Sequence, residues 1–124
     1  GKTMNSEISG LIRRGPEGFV IEVNNTDVGV RQRFTVCHEL SHYLLHRELI
    51  DNDGITDSIL FRSKLSNKLE VEANRLAAAM LIPWNLVNKW HKEIFNDVTS
   101  IANIDAIANH FKASRLAVGF RFGF

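Results

Sequence analysis

His38-Glu39-Leu40-Ser41-His42 sets two imidazoles four residues apart, with a carboxylate directly after the first. On a helix, side chains at i and i+4 lie one above the other, so both rings can reach one Zn²⁺. Glu39 then stands where it can take a proton from a water activated by the metal. The competing reading is a chance match, with both histidines neutral and hydrogen-bonded in a core. At roughly 100° per residue, Phe34, His38, His42 and Leu45 share one face, and Val36, Leu40, Tyr43 and Leu44 line the other. Such a helix is apolar nearly all round, which predicts burial. Ionisable groups inside it are costly unless paired or metal-bound, and a metal gives all three one partner. His46 continues the row, but a rise of ~1.5 Å per residue carries it about 12 Å along the axis from His38. That is too far for one shared cation, so His46 reads as a last-turn residue complementing the helix dipole. Cys37 reads as a small buried residue.

A catalytic zinc takes three protein ligands and keeps one position open. A second predicted helix offers two carboxylates in Glu70-Val71-Glu72-Ala73-Asn74-Arg75. They lie about 200° apart on the helical wheel, so only one can face the metal. Glu70 shares its face with Ala73, Asn74, Ala77 and Leu81, and the alanines allow close approach of the motif helix. Asn74 is placed to orient a ligating imidazole through its other ring nitrogen. Glu72 lies toward Arg75 and Ala79, where an ordinary salt bridge suffices. Glu70 is therefore the preferred third ligand; the alternative makes Asn67-x-x-Glu70 a capping box.

These residues need elements to carry them. Gly10–Arg14 and Phe19–Val23 have strand-like composition around the turn Gly15-Pro16-Glu17-Gly18, a β-hairpin. Asn24-Asn25-Thr26-Asp27 breaks the second strand and offers N-cap candidates. The motif helix spans about Arg31 to Leu49 and gives way to a polar loop at Asp51-Asn52-Asp53-Gly54. The second helix runs from about Asn67 to Ile82 and stops at Pro83. Helical segments follow at Trp84 to about Phe95, at Ile104 to Lys112, and after a Ser114 cap. The expected class is α+β: a small antiparallel sheet on a mostly helical body.

Composition narrows the function. A chain of 124 residues is read as one domain, 1–124, and Gly1-Lys2-Thr3 without an initiator Met reads as the start of a trimmed fragment. A net charge of +1 argues against bulk nucleic acid or an anionic membrane as partner. No apolar run is long enough to span a bilayer, and no signal-peptide pattern is present. One cysteine excludes an intrachain disulfide and a thiolate-rich zinc site, and it fits a reducing cytosol.

The run from Arg31 to His46, Arg-Gln-Arg-Phe-Thr-Val-Cys-His-Glu-Leu-Ser-His-Tyr-Leu-Leu-His, closely resembles the motif helix of the ImmA/IrrE metallopeptidases. Glu70 to Pro83 is similar to that family's second signature, as are the strand ending at Val23-Asn24 and the closing Ser114-x-x-Ala117. Cys37 stands where alanine is usual and Leu76 where phenylalanine is usual. Against that family's usual pattern, the residues before the hairpin are not expected to supply the helical segment that normally precedes it. The resemblance implies a minimal zincin-like core in a cytoplasmic zinc endopeptidase, with Mn²⁺ as the alternative metal. It implies His38, His42 and Glu70 as ligands. The substrate it implies is a protein, a helix-turn-helix (Xre-like) repressor of a mobile element or stress regulon, sometimes within a toxin–antitoxin-like operon.

The expected mechanism has Glu39 take the proton from the metal-activated water and pass it to the leaving amine. The substrate lies extended along the strand edge at Phe19–Asn24. Tyr43, His91 and His110 are the candidates for oxyanion stabilisation. Two further readings compete. Ile104 to Ala117 places two short helices around a polar turn, as in a helix-turn-helix DNA-binding module with an incidental metal. Against it stand the near-neutral charge and Phe120, Phe122 and Phe124, which read as core or partner contacts. In the other, the fold binds metal but acts as a toxin or regulatory partner without proteolysis. Oligomeric state is not legible from the sequence.

Overall fold

Two strands and a two-residue turn open the fold of this computed structural model, which describes residues 9–55, 63–94 and 101–123, and the side chains of all of these but 63–66, 91–94 and 101–103. β1 (Gly10–Gly15) and β2 (Gly18–Val23) pair antiparallel from Gly10↔Val23 to Gly15↔Gly18, so the expected hairpin closes on Pro16 and Glu17. Gly18 has φ of 136°, which a Cβ-bearing residue rarely adopts. Arg13 and Glu22 form an ion pair across the strands at 3.1 Å. Asn24 Oδ1 then accepts from the Thr26 amide at 3.0 Å and its hydroxyl at 2.7 Å, an Asx turn that ends the strand.

α1 (Gly29–His46) carries the motif. Its N-cap is Val28, which has no capping side chain, so none of the polar residues 24–27 fills that role. Asp27 works from one position further out. Its carbonyl accepts from Gln32 Nε2 at 2.7 Å, and its carboxylate pairs with Arg31 at 3.4 Å. A 3-10 turn, Arg47–Leu49, ends the helix. The polar stretch read as a loop then makes a second small ribbon, β3 (Ile50–Asp51) against β4 (Gly54–Ile55). Asp51 Oδ1 accepts from the Asp53 amide at 2.8 Å and Gly54 sits at φ 111°, turn chemistry that brings the short ends into register. The ribbon lies beside β1, where Arg14 Nε donates to the Ile50 carbonyl at 2.9 Å. The outer edge of β2 pairs with no other strand among the described residues.

α2 (Ser63–Leu81) begins four residues earlier than expected and ends ahead of Pro83. The Pro83 carbonyl accepts from the amides of Leu86 and Val87, opening α3 (Trp84–Ile94). α4 (Ile101–Phe111) and α5 (Arg115–Phe122) complete the body, and Ser114 Oγ caps α5 by accepting from the Ala117 amide at 3.0 Å. Leu81, Ile82, Val87, Ile107, Phe111 and Val118 are central to the helical core, and Phe34 and Cys37 of α1 pack against it. The architecture is α+β, as expected. No described helix is long and apolar enough to cross a membrane.

Two expectations change. α1 is not buried all round: Val36, Leu40, Leu44 and Leu45 are all exposed, Leu44 by 52%. The helix packs against α2, the hairpin and, through Phe34 and Cys37, the helical core, while Val36, Leu40 and Leu44 form a stripe that faces water. The second helix of the helix-turn-helix-like pair is itself core. Ala117 and Val118 are buried, Phe120 stacks on Phe34 at 5.9 Å, and Phe122 meets Trp84 edge-on at 5.0 Å. Arg121 Nε donates to the Ile82 carbonyl at 2.7 Å at the end of α2. A helix used this way has little left to offer a DNA groove. Phe124 lies outside the described residues.

Candidate metal centre

The most extensive packing between elements is α1 against α2. Ala73 and Ala77 on α2 are fully buried and have no side chain beyond Cβ, so the two backbones approach closely. At that seam His38 and His42 face Glu70. His38 Nε2 lies 3.1 Å from Glu70 Oε2, and His42 Nε2 lies 3.0 Å from Glu70 Oε1. One carboxylate thus bridges the two nitrogens that an i, i+4 pair aims at a common point. Glu70 is inside α2, well past its first turn, because the helix starts at Ser63. The capping-box reading therefore falls.

Glu39 is the second carboxylate of the cluster. Ligating atoms of His38, Glu39 and His42 lie within 4.8 Å of one another, so Glu39 competes with Glu70 on proximity alone. Glu70 is the better third ligand because it is within bonding distance of both Nε2 atoms. Glu39, at 8% exposure, is the more enclosed of the two.

The other ring nitrogens have partners too. Asn74 Oδ1 accepts from His38 Nδ1 at 2.8 Å. His42 Nδ1 lies 2.9 Å from His46 Nδ1, and His46 Nε2 donates to Glu72 Oε1 at 3.0 Å. His46 is in the last turn, as the sequence indicates, but it is buried at 7% exposure and engaged on both nitrogens, so its surroundings are not those of a dipole-complementing surface residue. Glu72 has a polar partner, as expected, but it is the unforeseen His46, from whose Nε2 it accepts a hydrogen bond.

Charges at the site follow from these contacts. Burial raises the Glu39 carboxyl above its ordinary range and the Glu70 charge adds to this, while His38 and His42 pull it partly back. Burial also opposes ionisation of Glu70, but hydrogen bonds from both imidazoles outweigh it and hold that carboxyl far below the usual carboxylate range. For His38, burial works against the cation; Glu70 and Glu39 overcome it and raise the imidazole above its ordinary value. Two imidazole nitrogens and one carboxylate converging from two helices fit a divalent metal with three protein ligands. Glu70, 50% exposed in its side chain, leaves the position open to solvent on one side.

The oxyanion candidates lie otherwise engaged. Tyr43 meets Phe19 edge-on at 4.8 Å and carries Arg47 over its ring at 4.2 Å, on the hairpin side. His110 stacks on Trp90 at 4.6 Å, in the helical body. The His91 side chain lies outside the described residues. Sequence reasoning missed the contact of His46 and Glu72 with this cluster. The available signal was the spacing of His46 from His42, the same four-residue step that pairs His38 with His42.

Residues 3–122 match the family model of the IrrE N-terminal-like domain. Over 75 residues, 59% of this chain, the sequence is 39% identical to the radiation response metalloprotease IrrE of Deinococcus deserti. The match covers 26% of that protein, so the chain spans about a quarter of the length of this curated relative.

Proposed function

The chain belongs to the ImmA/IrrE family of metallopeptidases, and from that we propose that it is a zinc-dependent endopeptidase acting on a protein substrate, a helix-turn-helix (Xre-like) repressor, in the cytoplasm. The observation that carries the reading is the convergence of His38 Nε2 and His42 Nε2 on the Glu70 carboxylate. His38, His42 and Glu70 would hold the metal. A zinc ion bound there supplies the positive charge that acidifies a water and polarises a scissile carbonyl.

The remaining work belongs to side chains. Glu39 receives the water's proton on its carboxylate and returns it to the departing amine. Burial serves that role, since a carboxylate held above its ordinary range is a better base than one in water. Asn74 fixes the ring of His38 by accepting from its Nδ1. The substrate runs extended along the outer edge of β2, which pairs with no other strand among the described residues, and Phe19 and Tyr43 form an aromatic wall nearby.

Elemental analysis of the purified protein, with co-expression beside the repressor of the adjacent operon, tests the reading. About one zinc per chain and a cleaved repressor are expected. Glu39→Gln keeps the metal and loses cleavage by at least about 10²-fold, the usual contribution of a general base. Full proteolysis in that variant would remove Glu39 from the mechanism.

A further inference from the structure

His42 is held from behind by a longer chain of contacts than His38. Glu72 Oε1, His46 and His42 Nδ1 form a continuous hydrogen-bonded line, 3.0 Å and 2.9 Å per link, that ends at the ring whose Nε2 faces Glu70. We propose that His46 and Glu72 are positioning residues that fix His42 with its proton on Nδ1 and its Nε2 lone pair aimed at the metal. The proposal rests on the reading of His38, His42 and Glu70 as metal-holding residues.

Donor direction along the line follows from the chemistry of its end. A carboxylate only accepts, so Glu72 places a proton on His46 Nε2. A neutral imidazole protonated there has a lone pair on Nδ1. Facing it at 2.9 Å, His42 Nδ1 must be the donor. Its Nε2 faces the Glu70 carboxylate at 3.0 Å and donates to it while no cation is bound; a cation held there would displace that proton and take the Nε2 lone pair, with Nδ1 still donating to His46. The same outcome is reached for His38 in one step, because the Asn74 amide oxygen accepts from Nδ1 directly. Burial makes the longer line consequential. His42 is 2% and His46 7% exposed, so water cannot readily replace either partner. The Glu72 side chain is 43% exposed, and solvent shares its end of the line. His46 should therefore matter more than Glu72.

Competition between the full chain and a chromophoric chelator for Zn²⁺ measures the first consequence. His46→Leu is expected to weaken zinc binding by about 10- to 100-fold, the usual range for losing a partner of a ligating histidine. His46→Asn keeps an acceptor near the Nδ1 position and should recover most of the loss. Glu72→Gln keeps an acceptor without its charge and should cost less than about tenfold. Nitrogen-15 spectra of the histidines in the zinc-loaded protein supply a reading that mere structural support would not move. His42 should show a protonated Nδ1 protected from exchange, and His46 a protonated Nε2. Protection at His42 should vanish in His46→Leu while the His38 signal stays. If the leucine variant fails to fold, His46→Ala carries the same spectral test, and His46→Asn, which keeps an acceptor, should retain the His42 protection. Wild-type binding of zinc with His42 protonated on Nε2, or unchanged zinc affinity in a folded His46→Leu, overturns this proposal alone. Failure of the wild type to bind zinc overturns it together with the reading on which it rests.

Discussion

Gly10→Ala tests how the hairpin is seated on the motif helix. A Cβ at Gly10 would lie 2.5 Å from Thr35 Cγ2 and 2.6 Å from the Glu22 carbonyl oxygen. Both are about 0.8 Å or more inside the 3.4 Å at which ordinary contact begins. Neither neighbour yields easily. Thr35 is buried on α1 with a branched side chain of restricted χ1, and the Glu22 oxygen is backbone in the paired strand. Overpacking of this kind costs about 1–3 kcal/mol, a roughly 5- to 150-fold fall in the folded-to-unfolded ratio. Gly29→Ala is the control: nothing lies within 4 Å of its added Cβ, and the position is helical, so stability should rise by up to about 1 kcal/mol. Urea denaturation should show the two midpoints moving in opposite directions with unchanged slopes. Because α1 is clamped by α2, the strand should give way rather than the helix. Zinc affinity would then hold while cleavage loses through KM. A Gly10→Ala midpoint at or above wild type would refute the tight seating of β1 on α1.

Asn74→Ala removes the acceptor for His38 Nδ1 and should weaken zinc binding by about 10- to 100-fold without changing the metal-to-chain ratio, as read by chelator competition. Stability of the metal-free chain should depend on pH in a stated direction. His38, raised in the folded state, contributes stability that is complete below 6.5 and lost as pH rises through its folded value. Glu70, depressed, contributes stability present above 4.5 and lost as pH falls through its folded value. Glu39, raised, acts in the sense of His38 and loses its contribution as pH rises from 4.5. Thermal melts in chelator should therefore decline above pH 6.5, and a steady climb from there to alkaline pH would refute the assignment. Zinc at 100 times its Kd should add about 2.7 kcal/mol, and at one fixed zinc concentration the gain should grow as pH rises, since the ligands must shed protons to bind it.

Much of this arrangement is legible in the chain because it depends on local chemistry. Gly-Pro-Glu-Gly makes a turn wherever it stands between strand-like runs, and Pro83 stops a helix whatever surrounds it. The i, i+4 step brings His38 and His42 together, and the face shared by Glu70, Ala73, Asn74 and Ala77 sets that stripe against α1. What escapes the sequence depends on tertiary contact. The helical wheel places Glu72 about 200° from Glu70, yet its carboxylate reaches His46 on the same neighbouring helix. A wheel gives the direction of Cβ, whereas the methylene and carboxyl group beyond it can swing to either side of that direction. The ribbon at Ile50–Ile55 escapes for a related reason. Strands of two residues have no periodicity to read, and theirs are stabilised partly by packing against β1.

The burial of α1 is inverted, and that inversion is the strongest physical argument that it carries a site. Its buried residues are Thr35, Glu39, Ser41, His42 and His46, all polar, while Val36, Leu40, Leu44 and Leu45 face water. An ordinary amphipathic helix turned by half a revolution would bury Val36, Leu40 and Leu44 and hydrate Thr35, Glu39 and His46, at a gain of about 1.5–3 kcal/mol for each large apolar side chain. The observed orientation stands against that gain only because the inward groups are satisfied where they lie. Glu70 and Asn74 hold His38, Glu70 and His46 hold His42, Glu72 holds His46, and Ser41 donates to the Cys37 carbonyl at 2.7 Å. Proteins break a local rule in this way chiefly where function requires it. The sequence period alone cannot reveal the inversion, because an all-round apolar helix has no preferred side until α2 presents its carboxylates.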